Sequence, residues 1–430
     1  MILHSSFTVN EAGHLAIAGC DAVELAHEYG TPAYIMDEDA VRAMCRTYRQ
    51  AIGRYGDGMP LFAGKALCVS GIYRIIAEEG LGADVVSGGE LYTALEAGFP
   101  MEKVFFHGNN KTDAEIAFAV DSGLGYFVVD NREELEAVSE AAGKAGKTQK
   151  ILLRITPGID PHTHRKVITG SVDSKFGTAI ATGQAMELVK TALRTPHIDL
   201  CGLHCHIGSQ IFDSRPFTDA ADIMVRFMAD IRRETGHELR ELNLGGGLGV
   251  RYVETDPEID YAARLDEITA HVKADCEAEG LHLPRLMLEP GRSIVAAAGA
   301  TLYTVGSVKQ ITGFKNYVSV DGGMPDNPRY ALYSSAYTAL IADRPGANAD
   351  FLCSLAGRCC ESGDLLAEDV RLAPCRRGDI LAVLVTGAYN YSMASNYNRV
   401  PRPPIVMIRG GQPRVMLRRE SYEDLIRNDL

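Results

Sequence analysis

Lys65 closes the apolar run Leu61-Phe62-Ala63-Gly64, a place where a lysine can serve as a nucleophile towards an aldehyde. With its stem in a core and its amine in a partly dry cleft, the ammonium form is disfavoured and the neutral amine gains population. A lysine that merely snorkels from a strand end to water has the same local sequence. Three more segments carry suitable residue types. Gly202-Leu203-His204-Cys205-His206-Ile207-Gly208-Ser209-Gln210 holds two histidines two apart, which on a strand share a face and could pair on a metal. No acidic third ligand adjoins them, so an imidazole facing an aromatic ring, with Ser209 and a glycine bend donating to an anion, fits better. In Asn243-Leu244-Gly245-Gly246-Gly247-Leu248-Gly249 a strand runs into consecutive glycines, whose backbone N–H groups can form a phosphate cradle. The spacing matches neither the dinucleotide GxGxxG pattern nor the P-loop. In Leu288-Glu289-Pro290-Gly291-Arg292 a Pro-Gly turn lets the carboxylate and the guanidinium point separate ways instead of simply pairing. A glutamate there could hold a proton on a ring nitrogen.

These segments need elements to position them. Short apolar runs recur at 61–64, 83–86, 104–106, 126–129, 151–155, 200–206, 242–244 and 286–289, with helix-period stretches between them. Ser87 with Glu90, and Asn131 with Glu134, carry the capping-box spacing that starts a helix. Eight strands alternating with helices is the count of a (β/α)₈ TIM barrel, in which active sites lie at the C-terminal strand ends. A doubly wound sheet has the same alternation. After about residue 292 the helix signals thin, and extended runs at 301–308, 317–320, 380–386, 404–408 and 414–417 predict a mainly antiparallel β domain. The domain reading is therefore a barrel over 37–290, with 1–36 and 291–430 forming the β domain, which takes the N-terminal strands.

Bulk properties narrow the function. The 430 residues carry a net charge of -13, which argues against nucleic acid or an anionic membrane as partner. No apolar run is long enough to span a bilayer, and Met1-Ile2-Leu3-His4-Ser5 lacks the basic and apolar regions of a signal peptide, so a cytoplasmic location is expected. The ten cysteines are scattered without a CxxC pair and read as reduced thiols, with no metal set among them.

An aldehyde-capturing lysine, a phosphate cradle, an imidazole facing a ring and a carboxylate on a ring nitrogen together describe one ligand, pyridoxal 5′-phosphate (PLP). The set Gly64-Lys65-Ala66, His204 to Gln210, Gly245 to Gly249 and Glu289-Pro290-Gly291-Arg292 resembles the fold-type III PLP-dependent decarboxylases, in order and over nearly the whole chain. The resemblance implies an alanine-racemase-like barrel with a C-terminal β domain that completes the active site. By that likeness Lys65 captures the cofactor aldehyde, His206 stacks on the ring, and Glu289 keeps the ring nitrogen protonated. Ser209, Gly246, Gly247 and the Pro290-Gly291 backbone hold the phosphate, with Arg292 and Tyr389 also at the cofactor. Asp326-Asn327-Pro328-Arg329-Tyr330-Ala331-Leu332-Tyr333 resembles the segment whose arginine and tyrosine bind substrate, and Gly387-Ala388-Tyr389-Asn390 the one whose tyrosine reaches cofactor and substrate. Cys359-Cys360-Glu361-Ser362 resembles the segment with a proton-donating cysteine, here Cys360, and an acid for the distal ammonium, Glu361. In this family that segment comes from a neighbouring subunit, which implies a homodimer.

The implied activity is decarboxylation of meso-2,6-diaminopimelate to L-lysine, the last step of lysine biosynthesis. Arg292 and Arg329 suit the distal carboxylate, because a guanidinium offers a fixed bidentate fork. Other fold-type III decarboxylases, acting on carboxynorspermidine or a D-amino acid, are the main alternative. An amino-acid racemase or a non-catalytic PLP-binding homologue is further off, given the Cys360-Glu361 segment and the retained Lys65. Two departures stand out. The family more often reads Ala-Val-Lys-Ala-Asn where this chain has Ala63-Gly64-Lys65-Ala66-Leu67, and a tyrosine, Tyr330, replaces the usual proline after Arg329. The run from Pro157 through Asp160-Pro161-His162-Thr163-His164 to Asp173-Ser174-Lys175-Phe176-Gly177 is as in the decarboxylases.

Overall fold

The computed structural model describes residues 4–159 and 174–430, so the Asp160 to Asp173 part of the loop just quoted and the first three residues lie outside it. The chain forms two compact units, Met44–Gly249 with Glu258–Gly291, and Met1–Ala43 with Val250–Pro257 and Arg292–Leu430.

In the first unit eight parallel strands follow one another: β1 (Gly58–Ala63), β2 (Gly82–Val85), β3 (Val104–Phe106), β4 (Tyr126–Val129), β5 (Gln149–Thr156), β6 (Ile198–His204), β7 (Glu241–Asn243) and β8 (Arg285–Leu288). β8 pairs with β1, and β4 with β5 from Tyr126↔Lys150 to Val129↔Leu153, so the ring closes with no edge. That pairing decides for a barrel over an open sheet. Met59 and Leu61 of β1, and Tyr126 and Val128 of β4, are spaced by two and meet in one buried cluster with Phe105 and Leu152. Alternate residues of each strand thus fill the barrel, as its period of two requires. Phe105 stacks on Tyr126 at 4.3 Å, and the Tyr126 hydroxyl donates to Glu241 Oε1 at 2.8 Å, so the one polar tip in this layer is satisfied.

The helix starts follow their caps with one shift. Ser87 Oγ accepts from Glu90 N–H at 3.2 Å ahead of helix Gly88–Glu96, and Asn131 Oδ1 from Glu134 N–H at 2.9 Å ahead of helix Arg132–Lys144. The glutamates do not return the bond to the cap residue. Glu90 accepts from Val86 N–H at 2.9 Å and Glu134 from Asp130 N–H at 3.2 Å, one residue further back, which ties each cap to the end of the preceding strand.

The second unit is built on the long strand Gly299–Ile311. It pairs antiparallel with Lys315–Val320, Ile380–Leu384 and the N-terminal strand Ala33–Asp37. Ala33–Asp37 also pairs, in parallel, with Ile405–Arg409. Residues 37–43, read from sequence as barrel, fall in this unit, and so do residues 250–257. Tyr252 explains the second placement: its ring packs on Tyr337 at 5.2 Å and its carbonyl accepts from Thr338 Oγ1 at 2.9 Å. Among the described residues no helix is long and apolar enough to cross a membrane, and no disulfide forms.

Candidate active site

The barrel unit gathers its polar side chains at the C-terminal ends of the strands. β1 stops at Ala63, and Lys65 sits in the 3₁₀ turn Gly64–Ala66. The turn buries Gly64 and Ala66 and leaves Lys65 exposed, which corrects the partly dry cleft expected from the sequence. The charge of Lys65 is felt by Asp84, Glu90 and His206. Gly64, at a place where valine is more usual, is required by its neighbours: a Cβ would strike the Tyr73 hydroxyl and come within 2.7 Å of the Asp84 carbonyl. Gly291 allows the other close approach, since a Cβ there would lie 2.8 Å from that of Ala63, and Pro290 O accepts from Ala63 N–H at 3.0 Å. The Glu289-Pro290-Gly291 turn is thereby packed directly on the turn that bears Lys65.

Glu289, just past β8, is buried. Asn243 Nδ2 donates to its Oε1 at 2.7 Å, and His204 Nε2 lies 3.3 Å from its Oε2. His107 Nε2 is 3.1 Å from Oε1, close enough for attraction but not aligned for a full hydrogen bond. Burial would raise the Glu289 pKa, but the two imidazoles, by their charge where acid protonates them and by hydrogen bonding, hold it well below the usual carboxylate range. Burial in turn pushes both imidazoles down, His204 to about 4, so at neutral pH both rings are uncharged. Asp84, in β2, shows the opposite behaviour. Burial, and then the negative charge of Glu289, push its carboxyl well above the ordinary range, so of the two acids Glu289 is the one that ionises.

His206 lies beyond the end of β6, half-buried, and its Nδ1 accepts from Gly246 N–H at 3.3 Å. Desolvation, then the positive charges of Lys65 and Arg154, push its pKa well down, leaving a neutral ring. The imidazole that shares Glu289 with His204 is therefore His107, not His206; the ligating atoms of His107, His204 and Glu289 lie within 4.8 Å of one another. The glycine run turns back sharply, with φ +70 at Gly245 and φ +132 at Gly247, conformations that L side chains rarely adopt. Gly245 N–H donates to Asn243 Oδ1 at 2.9 Å. The Gly246 bond to His206 is long, so that amide can turn to an anion at small loss.

In the β unit, Arg292 is buried and donates from Nη1 to the Tyr252 hydroxyl at 2.7 Å. The Tyr389 ring lies 4.7 Å from the Arg292 guanidinium and 5.5 Å from that of Arg329, which also faces Tyr333 at 5.3 Å. Tyr389 adopts φ 63, a left-handed conformation that costs a residue other than glycine about 1–2 kcal/mol and persists only where the surroundings impose it. Arg329 is 8% exposed, and its Nε has no hydrogen-bond partner among the described residues. Tyr330, the departure from the usual proline, spends its hydroxyl on Glu368 at 2.6 Å.

Cys360 and Glu361 lie exposed in the turn between strands Phe351–Ala356 and Leu365–Leu372. Cys360 N–H donates to Asn398 Oδ1 at 2.7 Å, and Glu361 Oε1 accepts from Gly363 N–H within the turn at 3.2 Å. Cys359 N–H donates to Asp364 Oδ2 at 2.7 Å, and burial, then the Asp364 charge, push the Cys359 thiol up to about 12.

A flat cationic ring with an anionic tail fits the barrel residues. Glu289 is a buried, ionised carboxylate whose contacts among the described residues are N–H donors of neutral groups, and it suits a protonated ring nitrogen. Sequence reasoning gave no role to Asp84, His107, Arg154 or Asn243, all buried at or just past strand ends. The available signal was a single polar residue closing or interrupting an apolar run.

Residues 38–296 match the family model described as pyridoxal-dependent decarboxylase, pyridoxal binding domain. The diaminopimelate decarboxylase of Bacillus subtilis (strain 168) is 44% identical over 431 residues, covering 100% of this chain and 98% of that protein. The diaminopimelate decarboxylase of Halalkalibacterium halodurans is 46% identical with the same coverage, 100% and 98%. The solved diaminopimelate decarboxylase of M. jannaschii, in complex with L-lysine, superposes with a TM-score of 0.93 at 36% identity, covering 100% of this chain and 99% of that one.

Proposed function

We propose, from the premise that this chain belongs to the diaminopimelate decarboxylase family within the pyridoxal-dependent decarboxylases, how its own residues carry out the family's reaction. The chain is a carboxy-lyase that uses PLP to convert meso-2,6-diaminopimelate to L-lysine and CO₂. The observation that carries the residue-level reading is the buried, ionised Glu289 beside the turn that bears Lys65. When bound, PLP supplies an aldehyde that condenses with amines and a protonated ring that takes up the electron pair left as CO₂ departs.

Glu289 keeps the proton on the ring nitrogen, an electrostatic contribution made before the reaction starts. Lys65 holds the cofactor between turnovers and yields it to the substrate amine. His206, neutral, lies against the ring face. Ser209, Gly246, Gly247 and the backbone of Pro290 and Gly291 hold the phosphate. Arg292 and Arg329 grip the distal carboxylate, with Tyr333 and Tyr389 aligning them; the unmatched Nε of Arg329 supports this assignment. Glu361 takes the distal ammonium, and the Cys360 thiol delivers a proton to the carbon that has lost CO₂.

We assign the cofactor to the barrel unit, Met44–Gly249 with Glu258–Gly291, and the substrate's far end to the β unit. Cys360 and Glu361 are assigned to the active site of a second copy of the chain, in a homodimer; their exposure in the single chain supports this. A cytoplasmic location agrees with ten cysteines and no disulfide among the described residues.

Cys360→Ala is expected to keep the spectrum of the bound cofactor and to lose about 10²–10⁴ in turnover, the span of general acid catalysis. Cys359→Ala should cost little, because the bond to Asp364 comes from the backbone N–H, which alanine keeps. Equal turnover of the two variants would place the proton donor elsewhere. For the reaction itself, CO₂ release is measured from meso-diaminopimelate, lysine, ornithine and arginine with added PLP. A site built around a charged group rejects substrates lacking it by on the order of 10⁴, so only the first should react. Comparable release from ornithine or arginine would overturn the assignment.

A further inference from the structure

We propose that His107, His204 and Asn243 are positioning residues which assign the site's negative charge to Glu289 and fix the direction of its carboxylate. This rests on the reading of Glu289 as partner of the cofactor's ring nitrogen.

Two acids share one water-poor place. Asp84 and Glu289 are both buried at the barrel's C-terminal end, and two neighbouring carboxylates do not both ionise readily. What separates them is the donors each receives. Asp84 Oδ1 accepts from Gly64 N–H at 3.2 Å, whereas Glu289 has Asn243 at 2.7 Å, His107 at 3.1 Å and His204 at 3.3 Å. Hydrogen bonds to the charged form of an acid favour that form, and both oxygens of Glu289 are engaged. The donors come from the ends of three strands, β3, β6 and β7, so the carboxylate is held from several directions. Asn243 is itself oriented, because its Oδ1 takes the Gly245 amide at 2.9 Å and so presents Nδ2 to Glu289. Both imidazoles turn Nε2 toward Glu289, that of His204 in hydrogen-bonding geometry and that of His107 close but out of line, and His204 Nδ1 is a buried atom with no partner, as fits an unprotonated nitrogen in a neutral ring. The other groups whose charge reaches Glu289 are Arg154 from β5 and Cys205 and His206 from just past β6. None of them donates to it.

A ring nitrogen needs an anion opposite. Should Glu289 take a proton, the cofactor ring would lose the partner that keeps it cationic, so removing a donor brings that loss to higher pH.

The test follows the absorption spectrum of the bound cofactor against pH in the holoenzyme, together with PLP affinity on reconstitution. His107→Phe keeps a flat ring and removes the polar edge that faces Glu289 at 3.1 Å, and should move the acid-side spectral transition up by about one pH unit. PLP affinity should fall several-fold, and His107→Gln, which restores an N–H donor, should recover both. A merely structural role would lower Tm without moving the spectral transition, and a wild-type curve for His107→Phe overturns the proposal. Glu289→Gln separates the two ideas. If it alone abolishes the transition while His107→Phe is silent, the positioning role fails and the ring-nitrogen reading stands. If Glu289→Gln keeps the wild-type curve, the ring-nitrogen reading fails and takes the proposal with it. For a variant that does not fold, nitrogen-15 spectra of histidine-labelled wild-type protein decide. His107 and His204 should be neutral and Nε2-protonated between about pH 6 and 8, and a charged ring or the opposite tautomer overturns the proposal.

Discussion

Lys65→Ala leaves a folded chain that no longer attaches PLP covalently and whose turnover drops by on the order of 10⁴ or more, the scale seen when a catalytic nucleophile is removed. The fold should survive because Lys65 is exposed, and its turn is held by the buried Gly64 and Ala66 packed against Gly291. Substitutions at such places usually change stability by no more than about 0.5 kcal/mol. Steady-state CO₂ release, the cofactor's absorption and a thermal melt check the three parts. An unchanged melt with absent turnover is the expected pattern, and activity near the wild-type level would remove Lys65 from the reaction.

Arg329→Ala separates catalysis from stability in the other direction. The residue is 8% exposed, its Nε is unmatched, and no carboxylate pairs with it among the described residues. Truncating one partner of a buried charge pair costs about 2–5 kcal/mol, so kcat/KM for meso-diaminopimelate should fall roughly 10²–10³-fold. PLP affinity should hold, because the cofactor contacts are assigned to other residues. Without its substrate the buried guanidinium is a burden on the fold, so Tm should stay level or rise. Kinetics, a cofactor titration and calorimetry on one variant give all three numbers. A large loss of PLP affinity or of Tm, with kcat/KM scarcely altered, would show that Arg329 serves the fold and not the distal carboxylate.

Legibility in the sequence followed the physics of each feature. Eight apolar runs were readable because strands buried in a parallel barrel are apolar along their length. Their closure was not, since a doubly wound sheet has the same runs and only the β4–β5 pairing distinguishes them. Lys65, Glu289 and Gly245 to Gly247 stood out because the chemistry of an aldehyde, a ring nitrogen and a phosphate is carried by residue type and local spacing. His107, His204 and Asn243 could not be assembled in that way. Each is one polar residue at a different strand end, and only the closed ring brings them to Glu289. Reading His204 and His206 as a same-face pair assumed a strand through 206. β6 ends at His204, and the turn that follows sends His206 to the glycine loop. Residues 250–257 were misplaced for a similar reason: the ring packing of Tyr252 on Tyr337 is a long-range contact with no local signature.

Borohydride reduction of the PLP-loaded protein, followed by proteolysis and mass spectrometry, tests the central claim most directly. The expected product is one pyridoxyl-phosphate adduct, on the peptide that contains Lys65, and none after addition of excess meso-diaminopimelate. An adduct on a different lysine, or none in protein that still releases CO₂, would contradict it.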